Sequence, residues 1–167
     1  RRKEFRPSDA DITYAYNLIN RHVFHNQLRR PVIRTGRVNH AWGICQWYER
    51  EQKNGTFCDL WIADKWFCPQ WFMNVLAHEM VHQWQWEVYR EENGGIYEFS
   101  GGHGPSFFSW RERFDYYGLH LKTTHRMLKW FKYQEAINNE SIPLCQFRCS
   151  NSISNVTKCT WNRCSKG

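Results

Sequence analysis

The feature that most restricts this chain is NVLAHEMVHQWQW, residues 74–86, an apolar run interrupted by His78, Glu79 and His82. A helix turns once in about 3.6 residues, so two histidines four apart lie on one face, one turn apart. Two imidazoles in that relation can hold one metal ion, and a glutamate directly after the first can reach the ion's open side. An apolar helix has little reason to bury two imidazoles and a carboxylate without a partner, because unpaired polar groups are costly in a dry interior. The helix is predicted to start at Pro69, a proline at the first helical position, and to run to about Arg90 or Glu92, before Gly94-Gly95.

A catalytic zinc takes three protein ligands and leaves its fourth position to water. The expected third ligand is His103 in SGGHGPSFF, where glycines let the backbone approach a site and Pro105 starts an anchoring helix. Glu98, Glu91 and Glu92 are its competitors. His22, His25, His40, His120 and His125 lack such a setting and are expected to be surface or core residues. The chemistry that follows is peptide-bond hydrolysis: zinc lowers the pKa of its water, and Glu79 takes the proton as general base and delivers it to the leaving amine.

At 167 residues the chain is one domain, or one domain with a small appendage. Ten Trp, eleven Phe and eight Tyr supply the bulk for a core, and no apolar run approaches the roughly 18 residues of a membrane span. The opening RRKEFRPSDA has neither an initiator Met nor an apolar leader segment and reads as an excised domain. The net charge of +7 is uneven. Residues 1–37 carry nine Lys/Arg against three acids, residues 120–167 eight against two, and residues 38–119 six against eleven. The metal motif thus lies in an acidic segment between basic ends, which suit a polyanion such as nucleic acid or simply a solvated surface. Seven cysteines cannot all pair internally, so an intracellular chain is expected (cytoplasmic, nuclear or nucleoid-associated), although N-x-S/T sequons occur at Asn54, Asn139 and Asn155.

Ser8 and Asp11 resemble a capping box, and Ile12, Tyr16, Ile19 and Val23 recur at helical spacing, predicting a first helix over about 9–26. PVIRTGRV, AWGICQWYER and TFCDLWIA read as strands, the last two joined as a hairpin through the Asn54-Gly55 turn. Cys45 and Cys58 then face one another across that hairpin, as buried thiols or as a disulfide. A helix from Pro105 to Gly118 places Phe107, Trp110, Phe114 and Tyr117 on one face, and a further helix is predicted within 120–134. Trp47, Trp61, Trp66 and Trp71 are expected in the core or lining a substrate cleft.

The order of these pieces, AYNLINRHVFHNQLRRPVI, AWGICQWYE, CDLWIADKWFCPQWFMNVLAHEMVHQWQW and GGHGPSFFSWRERFDYYGLHL, resembles the SprT-like zinc metalloprotease family, which includes the Spartan proteases. The resemblance covers about residues 10–122, and its most specific part is HEMVH followed by a GHGP segment entering a helix. It implies an α+β, zincin-like fold in which a small three-stranded sheet packs on the active-site helix. His78, His82 and His103 would bind zinc, and Glu79 would be catalytic. It further implies cleavage of DNA-associated or DNA-crosslinked proteins, with single-stranded or junction DNA as partner and a DNA-binding element after the protease core. The long segment between the second and third ligands points to a bacterial or viral member.

Composition changes at about residue 135, dividing the chain into a protease domain, 1–134, and a Cys-rich zinc-ribbon-like tail, 135–167. Cys145, Cys149, Cys159 and Cys164 would hold a second, structural zinc, with two disulfides as the alternative. Lys122, Arg126, Lys129 and Tyr133 line one side of the last predicted helix, opposite Leu121, His125 and Leu128, and Lys122, Arg126, Lys129 and Lys132 are the candidate nucleic-acid contacts. Trp130 stands among them either as a base-stacking residue or as a core contact. Two other functions compete: a processing or secreted metalloprotease with no nucleic-acid role, and a DNA-binding module with a structural, inactive zinc. The intact Glu79 argues against the second.

Overall fold

The structure, a computed structural model, describes residues 5–38, 41–66, 69–95 and 102–123. Its first helix, α1 (Asp9–His22), begins at the expected capping box: Asp11 N–H donates to Ser8 Oγ at 3.1 Å, and Ser8 N–H donates to the Asp11 carboxylate at 2.9 Å. Such a cap contributes about 1 kcal/mol. The helix stops short of residue 26 because His25 and Asn26 take φ of 54° and 59°, which no right-handed helix accommodates. The returning chain is clamped to α1 by Asn20, whose amide donates to Leu28 O at 2.9 Å and whose Oδ1 accepts Leu28 N–H at 3.2 Å.

Three strands follow: β1 (Val32–Gly36), β2 (Gly43–Trp47) and β3 (Cys58–Ala63), in the sheet order β1-β3-β2. β2 and β3 form the expected antiparallel hairpin, with Trp47 opposite Cys58 and Gly43 opposite Ile62, while β1 runs parallel to β3. At the turn Gly55 has φ of 78°, and Asn54 Oδ1 accepts from both Thr56 N–H and Thr56 Oγ1. Strand side chains alternate between faces. Cys58, Leu60 and Ile62 are fully buried on the inner face of β3, whereas Trp61 is 41% exposed on the outer face with the Arg34 guanidinium 5.5 Å from its ring centre. Trp61 therefore lies outside the core, in contrast to Trp66 and Trp71, which lie in it with Trp42 packed on both.

Helix α2 (Pro69–Trp84) is buried at every residue from Pro69 to Gln83. A helix buried on every face lies in the middle of the domain rather than on its surface, and its polar side chains need partners there. α1 lies against α2, and β2 crosses beside it. Each fully buried Phe, Leu or Ile here contributes about 1.5–3 kcal/mol through removal from water. α2 runs on without a break into a π-helical segment, Gln85–Tyr89, and a last turn, α3 (Arg90–Glu92).

The helix predicted from Pro105 is two: α4 (Pro105–Phe108) and α5 (Arg111–Tyr116). Ser109 Oγ donates to Ser106 O at 2.6 Å, and Trp110 sits at ψ of −3°, so the helix breaks between them. The predicted apolar face survives the break, with Phe107 and Phe114 buried and Trp110 and Tyr117 packed against the core. Gly118, at φ of 74°, closes α5: Leu119 N–H donates to Phe114 O and Gly118 N–H to Asp115 O. Residues 119–122 are not helical, so the helix predicted within 120–134 does not start there. The rest of it lies outside the described residues, as do Cys145, Cys149, Cys159 and Cys164. Among the described residues the fold is mixed α and β with one three-stranded sheet, and no helix is long and apolar enough to cross a membrane.

Candidate metal centre

His78 and His82 project from one face of α2, and the loop entering α4 brings His103 to them. The Nε2 atoms of His78 and His82 are 3.2 Å apart, and those of His78 and His103 are also 3.2 Å apart. Nitrogens bound tetrahedrally to zinc at about 2.0–2.1 Å are separated by about 3.3–3.4 Å, so these two separations fit such an ion, and all three ligand atoms lie within 4.8 Å of one another. His78 and His82 are buried and His103 half-buried. Phe107, on the first turn after the loop, packs against all three rings at 4.7 to 5.2 Å between centres.

The outer nitrogens decide what the inner ones can do. His78 Nδ1 lies 2.7 Å from Lys122 O, and His82 Nδ1 lies 2.8 Å from Gln85 Oε1. The orientation of Gln85 is set by its amide nitrogen, which donates to Gly102 O and to Ser106 Oγ, both at 2.9 Å. Each Nδ1 therefore faces an oxygen that only accepts and must carry the proton. In the neutral rings both Nε2 atoms are then lone pairs pointing at one another, an arrangement that a cation between them relieves. Burial lowers the pKa of His82 to about 4, and it lowers that of His103 as well, so protons compete weakly for these donors.

Glu79 follows His78 by one residue and faces strand β2 rather than the histidine cluster's loop side. It is buried, which pushes its pKa up to about 8 against the opposing effect of the Cys45 backbone N–H. Space for it depends on Gly43: a Cβ there would lie 2.8 Å from Glu79 Cγ and 3.0 Å from Val75 Cγ1. A nearby dication would favour the ionised carboxylate and oppose the effect of burial.

Of the other candidates, Glu91 and Glu92 are exposed on α3 and take no part in the cluster, and Glu98 lies outside the described residues. Lys122 enters through its backbone carbonyl, a role that no basic-stripe reading anticipates. Arg126, Lys129, Trp130 and Lys132 lie outside the described residues. Cys45 and Cys58 are free thiols that the hairpin register sets diagonally rather than face to face, Cys45 opposite Leu60 and Cys58 opposite Trp47, and burial raises Cys45 well above the usual thiol range. Sequence reasoning missed Gln85, Ser106, Gly43, Gln70 and Asn74. For Gln85, Gln70 and Asn74 there was a signal, since they are amides spaced in helical steps from the histidines within an apolar helix. For Gly43 and Ser106 there was none. No family model and no curated protein matches the chain.

Proposed function

We propose that this chain is a zinc-dependent endopeptidase of the SprT-like type, acting on DNA-associated or DNA-crosslinked proteins. The observation that carries the reading is the convergence of three imidazole Nε2 atoms, with the protons of His78 and His82 committed to carbonyl oxygens on the far side. An all-nitrogen set of this geometry suits zinc among the common divalent ions. When bound, the ion supplies Lewis acidity toward a water and a scissile carbonyl.

The chain's own residues do the rest. A Glu79 carboxylate oxygen would accept the attacking water's proton and return it to the leaving amine. Strand β2 occupies the edge of the sheet beside Glu79, where an extended substrate segment could add as a further strand. The basic ends of the chain, with Lys122, Arg126, Lys129, Trp130 and Lys132, favour a polyanionic partner, and the tail cysteines suit a second zinc.

The test is zinc content and cleavage measured together. Glu79→Gln should retain one zinc at the histidine site and lose about 10²- to 10⁴-fold in the rate of peptide cleavage. Undiminished cleavage would remove Glu79 from the mechanism. Single-stranded DNA should accelerate cleavage of a DNA-crosslinked protein at low salt, and an unchanged rate would leave a peptidase without a nucleic-acid role.

A further inference from the structure

Gln70, Asn74 and His78 occupy successive positions four apart on α2, a single ridge of the helix. Each meets the backbone of the segment that leaves α5. Gln70 Nε2 donates to Gly118 O at 3.3 Å, Asn74 Oδ1 accepts His120 N–H at 3.2 Å, and His78 Nδ1 donates to Lys122 O at 2.7 Å. The periods of the two elements match. Four helical residues rise about 6 Å, and two residues of extended chain advance about 6.6 Å, so a strap running alongside the helix stays in register over three rungs. Leu119 and Leu121 are buried between the rungs and hold the strap to the core.

Asn74 sits there at a cost. It is fully buried, and its Nδ2 has no hydrogen-bond partner among the described residues, which disfavours it by about 1–3 kcal/mol relative to a satisfied group. A leucine would carry no such cost but would offer no acceptor to His120. The middle rung is what the asparagine supplies.

We propose that Asn74, with Gln70 behind it, is a positioning residue for the metal ligand His78: it keeps residues 118–122 in register on α2, so that the Lys122 carbonyl holds the His78 Nδ1 proton and turns the Nε2 lone pair to the cluster. This rests on the metal-binding part of the reading above and is independent of the peptidase part. His82 provides the internal control, because its acceptor is Gln85 and not the strap.

Two-bond ¹⁵N–¹H correlations on the metal-free protein report the tautomer of each imidazole. Wild-type protein should show Nδ1–H at both His78 and His82. In Asn74→Leu the His78 signal should become a mixture of tautomers while His82 keeps its own, and the zinc Kd, measured against a competing chelator, should rise about 10- to 100-fold. A folded Asn74→Leu protein with the wild-type His78 tautomer and Kd overturns the proposal.

If Asn74→Leu does not fold, the wild-type chain decides. By reciprocity, a strap that prepares the ligand is itself stabilised by the ion. Zinc at about 100 times its Kd should then slow exchange of the His120 amide by at least about tenfold. Exchange indifferent to zinc overturns the proposal, and a wild-type chain that binds no zinc at the three histidines overturns both this and the metal reading. A chain that binds zinc, obeys these expectations and cleaves nothing leaves the positioning role standing and removes the peptidase.

Discussion

His78 and His82 are neighbours on one helix face and are oriented by opposite means. His82 takes its acceptor from Gln85, three residues along the same helix, at the start of the π-helical segment. His78 takes its acceptor from Lys122, 44 residues away, through a strap whose place depends on α5, Gly118 and two further hydrogen bonds to α2. One anchor lies within a single helical stretch, its amide oriented by Gly102 and Ser106. The other forms only when the domain closes, so the site becomes competent for metal as a consequence of tertiary folding. Widened helical turns recur at functional sites, and here the widened turn begins at the residue that ties His82 to the loop of His103.

Removing the local anchor should have the largest effect. Gln85→Leu deletes the acceptor of His82 and both bonds to the His103 loop, so zinc affinity is expected to fall by about 100-fold, the upper end for ligand-orienting residues. Chelator competition measures it. A loss no greater than that of Asn74→Leu would mean that the distant anchor matters as much as the near one.

A change on the strand side of α2 should spare both anchors. Gly43→Ala brings a Cβ within 2.8 Å of Glu79 Cγ, and the crowding should cost about 1–3 kcal/mol of stability by denaturant titration. Peptide cleavage should fall because Glu79 is displaced, while zinc affinity stays near wild type. A parallel loss of zinc would show that the two sides of the helix are coupled.

The smallest effect, per unit of pH, is in the stability of the metal-free protein. The folded pKa of Glu79, about 8, lies above the ordinary 4.5, so its contribution is complete below about pH 4.5 and is lost as pH rises through 8. His82 and His120 act in the other sense. Their folded values, about 4, lie below 6.5, so their contribution is complete above 6.5 and is lost as pH falls through 4. Stability should therefore peak near pH 6.5 and decline on the alkaline side by about 1.4 kcal/mol per unit. Glu79→Gln should flatten the alkaline limb and leave the acid limb, and an alkaline limb that persists would assign it to another group.

What could be read from the chain in advance was whatever repeats over a few residues. The i, i+4 spacing of His78 and His82, the Ser8 cap, the hairpin at Asn54-Gly55 and the glycine-flanked His103 all follow from local geometry, because helix pitch and turn stereochemistry act on neighbouring residues. Even Gln85 was within reach of that logic. The end of α1 at His22, the break at Ser109 and the outward face of Trp61 were not, since two left-handed residues, one serine back-bond and the choice of sheet face are settled by what packs against them.

The sequence by itself determined a buried helix carrying two imidazoles and a carboxylate, and a glycine-flanked loop offering a third imidazole. Only the tertiary structure decided that β1 lies parallel to β3, that β2 lies beside Glu79 with Gly43 making room, and that the carbonyl of Lys122 reaches His78. The physical reason is the range of the interactions. A helical period is enforced by hydrogen bonds four residues long, whereas a contact across 44 residues forms only after the chain entropy of closing that loop is offset by the burial of the core around it.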